Sequence, residues 1–265
     1  MRPIAAAETT SDSCVSLAVE HWIEPWLLDS LDSSTTRLFC FPFAGGAASI
    51  YRDWHRFLPP HVRPIPVLLP GRENRWSEPA YSELHPLIAA LSTVLSAVVR
   101  QPYALFGHSM GALIAFEMAR TLTRTGCAAP NRLFVSGCRA PHMPDRDKPM
   151  AACPDREFLA ELKRLNGIPA EVMENVELMQ LLLPMLRADF HLFEAYEYRR
   201  EQPLECPISA FAGDADRKTP PDDVMAWRLH TRDRFVGRVL GGDHFFLKSS
   251  KADLLQGIAD DLRGS

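Results

Sequence analysis

The sequence predicts an α/β fold with a mostly parallel central sheet flanked by helices. Three observations point there. Short apolar runs end in glycine or proline, stretches with helical periodicity separate them, and the runs are near-continuously apolar, as strands covered on both faces must be. Taken in order, "RLFCFP" (37–42) is a strand running into Phe-Ala-Gly-Gly, and "IPVLLP" (65–70) is a second, ending in Pro-Gly. "LHPLIAALSTVLSAVV" reads as a helix, "YALFG" (103–107) as a strand, and "ALIAFEMARTLTRT" (112–125) as a helix stopped by Gly126. "RLFVSG" (132–137), "ISAFAG" (208–213) and "FVGRVLGG" (235–242) are three further strands, and "KADLLQGIADDL" (251–262) closes as a helix. In such sheets functional residues collect on the loops after the C-terminal ends of the strands.

The interval of about 140–205 breaks this rhythm. Leu178, Leu181, Leu182, Met185 and Leu186 recur at helical spacing, as do Phe190, Phe193 and Tyr196, so a helical insertion is expected between the strands at 132–137 and 208–213. Pro184 should kink or divide its helix. Residues 1–35 read as a loosely ordered lead-in, and 1–265 as one domain.

Composition excludes several function classes. The formal net charge is −4, with no basic surplus, so no nucleic-acid partner is expected. The longest nearly apolar run, 87–99, falls short of the roughly 20 residues a spanning helix needs. The N-terminus lacks the apolar core of a signal peptide. A cytoplasmic protein with no membrane association follows as the expectation. The six cysteines (14, 40, 127, 138, 153 and 206) contain no C-x-x-C pair and no zinc spacing, so reduced thiols and no metal are expected.

The chemistry is concentrated at Gly107-His108-Ser109-Met110-Gly111, which matches G-x-S-x-G between a strand and a helix. That is the context of a nucleophile elbow, in which the serine sits on a strained turn and the glycines relieve crowding. On the helix that follows, Glu117, Arg120, Thr121 and Arg124 form one polar stripe. The helix N-terminus directs partial positive charge at Ser109. A serine hydroxyl needs a base, and the base needs an orienting acid. For this elbow the chain order is Ser, Asp or Glu, then His. Among nine histidines, His244 alone follows a late strand and precedes a helix, in "VLGGDHFFL". The acid should follow "ISAFAG": Asp216, third after Gly213, is the candidate, and Asp214 is the alternative. The backbone N–H of Met110 should supply one oxyanion donor. A second should come from "FPFAGG" (41–46), with Ala44 the candidate and Phe43 the alternative.

Together "FCFPFAGG", "LLPGRENRWSEP", "LFGHSMGALIAFEMAR", "FVSGCRAPH", "LLLPMLRADF" and "GGDHFFL" resemble the type II thioesterases, editing α/β-hydrolases associated with nonribosomal peptide and polyketide synthases. The resemblance covers about residues 36–260 and implies an α/β-hydrolase fold whose insertion at about 140–205 is a lid over the acyl chain. It implies that Ser109 takes an acyl group from the phosphopantetheine thiol of an acyl or peptidyl carrier protein. His244 would act as base, then acid, and Asp216 would hold the imidazole. No cofactor of the enzyme's own is implied, and a monomer is expected. Cys138 stands where the family pattern has arginine, a change at a packing site beside the lid. Medium-chain fatty acyl thioesterases and small-molecule carboxylesterases are the alternative readings, since fold and triad do not fix the substrate. A non-catalytic binding module is disfavoured by the intact Ser, Asp and His set, and an excised cyclising release domain by the lack of a preceding carrier segment.

Overall fold

The computed structural model describes residues 19–24, 27–28 and 32–263. Most of the lead-in expected over 1–35 lies outside them. Six parallel strands form one sheet in the order β2-β1-β3-β4-β5-β6: β1 Thr36–Phe41, β2 Val62–Pro66, β3 Tyr103–His108, β4 Arg132–Ser136, β5 Ile208–Gly213 and β6 Phe235–Leu240. The helices are α1 Leu84–Val98, α2 Met110–Arg124, α3 Asp155–Leu165, α4 Ala170–Glu174, α5 Val176–Glu194, α6 Pro221–Met225, α7 Phe246–Ser249 and α8 Lys251–Arg263. Among the described residues, no helix is long and apolar enough to cross a membrane.

Strand alternation sorts the core into two layers. Phe39, Phe41, Leu105, Leu133 and Val135 face α1 and α2. Leu38, Cys40, Ala104, Phe106 and Phe134 face the other way, onto Leu254, Leu255, Ile258 and Leu262 of α8. The central strands are buried along their length, which is why they read as unbroken apolar runs.

The edge strand departs from expectation. β2 occupies 62–66, not 65–70, because β1 pairs Thr36–Cys40 with Val62–Pro66. Pro64 and Pro66 are tolerated on an edge. The apolar run continues past the strand as buried loop, where Leu68 N–H donates to Trp22 O and Leu68 O accepts from Arg75.

The polar stripe on α2 is divided between core and solvent: Glu117 and Arg120 are buried, Thr121 is half-buried and Arg124 is exposed. Arg120 pairs with Glu117 at 2.6 Å and donates to the Arg199 carbonyl and to Glu201, while Tyr196 O–H donates to Glu117 at 2.7 Å. The segment after the insertion folds back over this helix, which α2's own periodicity cannot reveal. Pro184 does not divide α5, which continues from Val176 to Glu194. Pro184 and Gln180, whose carbonyl it leaves without a helical donor, both lie on the exposed face, so that the carbonyl is open to solvent.

The expected insertion is present as α3, α4 and α5, between β4 and β5. It has its own small core of Phe158, Leu162, Met179, Met185, Leu186 and Phe190. Cys138 packs in the main core, not in this satellite, and burial pushes its thiol up to about 12. All five cysteines among the described residues are free.

Candidate active site

The strand order reverses at β1: the chain passes from β1 to β2 on one side and then to β3 on the other. Loops leaving β1 and β3 therefore diverge and open a crevice at the C-terminal ends of the strands, the place where open α/β sheets bind ligands. Ser109 follows β3 and Ala44 follows β1, so both flank this crevice.

Ser109 is the turn itself. Its backbone has φ 53° and ψ −121°, a strained conformation for a non-glycine residue that costs on the order of 1–3 kcal/mol. It is held by Ser109 N–H donating to Ser136 O at 2.8 Å and Ala112 N–H donating to Ser109 O at 2.9 Å. The flanking glycines are fixed by space. A Cβ on Gly107 would lie 1.9 Å from Gly111 O, and one on Gly111 2.1 Å from Phe41 O.

The hydroxyl is not alone. His244 Nε2 lies 3.1 Å from Ser109 Oγ, and His244 Nδ1 lies 2.8 Å from Asp216 Oδ2. With Asp216 ionised, Nδ1 carries the proton and Nε2 is left to accept from the serine. Asp216 is 4% exposed. Its second oxygen accepts the N–H groups of Lys218 and Thr219 at 2.9 and 3.0 Å, so one carboxylate both caps its loop and orients the imidazole. Asp214, the alternative, is exposed and accepts the Gly242 N–H at 2.8 Å, which braces the β5 and β6 loops without reaching His244. Asp216→Asn is therefore expected to lower kcat by about 10⁴-fold, because an amide does not hold the required tautomer. Asp214→Asn should change it by no more than a few-fold. Steady-state turnover of the two variants checks the assignment, and a larger loss in Asp214→Asn would reverse it.

Beneath the relay, His108 is fully buried, with its ring centroid 5.2 Å from that of His244 and Nδ1 2.9 Å from Ser136 Oγ. Burial, and next the neighbouring His244, push its pKa well down, so it stays neutral and adds no charge against an imidazolium at His244.

The cavity at Ser109 is lined by Phe43, Ala44, Leu165, Phe190, Phe193 and Phe245, with Met110, Lys218 and His244. Among the described residues, the Ala44 and Met110 N–H groups have no protein acceptor. The Phe43 carbonyl accepts the Gly46 N–H at 2.8 Å. C=O and N–H of one planar trans peptide point in opposite directions, so the Ala44 N–H points away from that turn. Leu165, Phe190, Phe193 and Lys218 also line a larger cavity that opens between α3 and the 145–153 loop. Sequence reasoning misses Lys218 here. It also gives no role to Arg72 and Asp189, although both sit in segments that carry the family resemblance.

A strained serine elbow at the switch point of a parallel sheet, aligned with His244 and Asp216, defines a serine hydrolase of the α/β-hydrolase class. Comparison with known proteins narrows the class. Residues 36–263 match the family described as thioesterase domain. The linear gramicidin dehydrogenase LgrE of Brevibacillus parabrevis is 44% identical over 243 residues, covering 90% of this chain and 92% of that protein. Among solved structures, the RedJ thioesterase of the prodiginine pathway in Streptomyces coelicolor superposes with a TM-score of 0.82 at 35% identity, covering 98% of this chain and 96% of the other. The type II thioesterase BorB of the borrelidin cluster gives 0.82 at 36%, covering 91% and 97%. The chain thus belongs to the thioesterase family, among the type II thioesterases, and is a serine hydrolase acting on thioesters. The dehydrogenase name of LgrE belongs to that relative. The present chain has no G-x-G pair of glycines, on which the dinucleotide-binding fingerprint depends.

Proposed function

We propose that this protein hydrolyses acyl groups from the phosphopantetheine thiol of carrier proteins and edits the loading of a nonribosomal peptide or polyketide synthase. The observation that carries the proposal is the aligned Ser109–His244–Asp216 relay, opening on an aromatic and aliphatic cavity. Ser109 Oγ attacks the thioester carbonyl while His244 Nε2 takes its proton. The oxyanion is met by the Met110 and Ala44 N–H groups. Collapse breaks the C–S bond, and His244 returns the proton to the departing thiolate. Water then attacks the acyl-Ser109 ester, activated by the same imidazole, and releases the carboxylic acid. Asp216 holds the ring and stabilises its cationic form. No cofactor takes part, and the protein acts as a monomer.

The helices α3 to α5 serve as the lid, since Leu165, Phe190 and Phe193 form the outer wall of the cavity. Relatives named for biosynthetic pathways support the synthase setting. The test loads a carrier protein with several acyl groups and reads intact mass. The wild-type protein should return the carrier to its free-thiol mass, and Ser109→Ala should leave it acylated. Cleavage of simple aryl esters far faster than acyl-pantetheine would assign the protein to the carboxylesterases.

A further inference from the structure

Three charged side chains that touch neither Ser109 nor His244 converge on the loop carrying Ala44. Asp189 of α5 is 2% exposed, and its Oδ2 accepts the Gly45 N–H at 2.8 Å. Arg72, in the loop after β2, is 6% exposed and forks onto Asp189 at 2.7 and 2.9 Å. It also donates to the Gly46 carbonyl at 2.9 Å and to the Pro70 carbonyl at 3.3 Å. The adjacent Glu73 accepts the N–H groups of Ala48 and Ser49, each at 3.1 Å. Backbone groups at Gly45, Gly46, Ala48 and Ser49 are thus held by charges from two other elements.

Stability alone is a poor reason for this arrangement, because a buried ion pair barely offsets its own desolvation, and apolar replacements of similar volume are often neutral. What the pair provides is direction: Arg72 Nη1 and Asp189 Oδ2, besides pairing with each other, each bond the backbone of the loop carrying Ala44. Asp189 also lies one residue before Phe190, which lines the cavity at Ser109.

We infer that Arg72 and Asp189 are positioning residues that set the Ala44 N–H for the oxyanion and tie it to the docking of α5, so that the second donor is in place only when the lid helix is seated. The inference rests on the reading of Ala44 as an oxyanion donor given above.

The test uses the full chain. Asp189→Asn keeps an acceptor but loses the charge and the fork. Its kcat per titrated active site should fall about 10- to 100-fold with KM within twofold, a fraction of what full loss of one donor costs. Affinity for a boronic acid that forms a tetrahedral adduct with Ser109 should fall in proportion, while affinity for a non-cleavable thioether analogue of acyl-pantetheine should not. Arg72→Lys, which keeps the charge without the fork, should lie between Asp189→Asn and wild type. The double variant Arg72→Met/Asp189→Leu leaves no orphaned charge, so it is expected to fold, and it should show the same selective loss. Wild-type kcat per active site and boronate affinity in the double variant would overturn the inference. Failure of the wild-type protein to turn over any thioester would instead overturn the proposed function, and the boronate-to-thioether affinity ratio would still decide the role of Arg72 and Asp189.

Discussion

Ser109→Ala is expected to lower kcat on an acyl-carrier thioester by about six orders of magnitude, His244→Ala to lower it comparably, and the double variant to be no worse than either. The reason is geometric. His244 Nε2 sits 3.1 Å from Ser109 Oγ, and among the described residues this is the one ring nitrogen hydrogen-bonded to that hydroxyl. Without the base the hydroxyl keeps its proton, and without the hydroxyl the base has nothing to activate except water. The residual rate comes from the Met110 and Ala44 donors acting on a directly attacked carbonyl. Single-turnover hydrolysis of an acylated carrier by the three variants measures this. Losses that multiply in the double variant would mean that the two residues act in separate steps, and the shared relay would be wrong.

The elements legible in sequence are those whose physics is local. β1, β3, β4 and β5 are buried on both faces and read as apolar runs, and the elbow announces itself through two glycines that nothing else can replace. His244 stands out because chain order and a strand–loop–helix context single it out. What is not legible depends on which distant segment returns to cover a surface. Glu117 and Arg120 read only as part of a polar stripe, and nothing in that stripe shows that 196–201 closes over them. The sequence misplaces β2 because Leu68 and Leu69 are as apolar as a strand, yet Leu68 bonds to Trp22 and Arg75 and not to β1. Asp214 and Asp216 are nearly indistinguishable by spacing, and only the path of the loop toward His244 separates them. Arg72 and Asp189 stand 117 residues apart, so no local periodicity links them. In each case the missing information is tertiary contact, which intrinsic propensity does not contain.

Gly111→Ala should be, with Gly107→Ala, among the most damaging single methyls in the molecule. Its Cβ would sit 2.1 Å from Phe41 O and 2.8 Å from Pro42 O, and both are backbone atoms of β1 and the loop leading to Ala44. A side chain could rotate away, but these carbonyls cannot, so α2 must lift from the sheet. Overpacking of a core costs about 1–3 kcal/mol when side chains can yield. Here the loss should reach at least about 3 kcal/mol, a fall in Tm of roughly 6–12 °C for a domain of this size. Gly126→Ala is the control. Gly126 ends α2 at φ +87° with nothing within 4 Å of an added methyl, so it carries conformational strain without collision, about 1–2 kcal/mol. Urea unfolding of both variants separates crowding from conformation. Equal midpoints would show that the sheet accommodates the methyl. The expected ordering has a functional consequence, because the displacement that relieves Gly111 separates Met110 from the loop of Ala44. The surviving folded fraction should therefore lose turnover per titrated site as well as stability, whereas Gly126→Ala should keep full turnover.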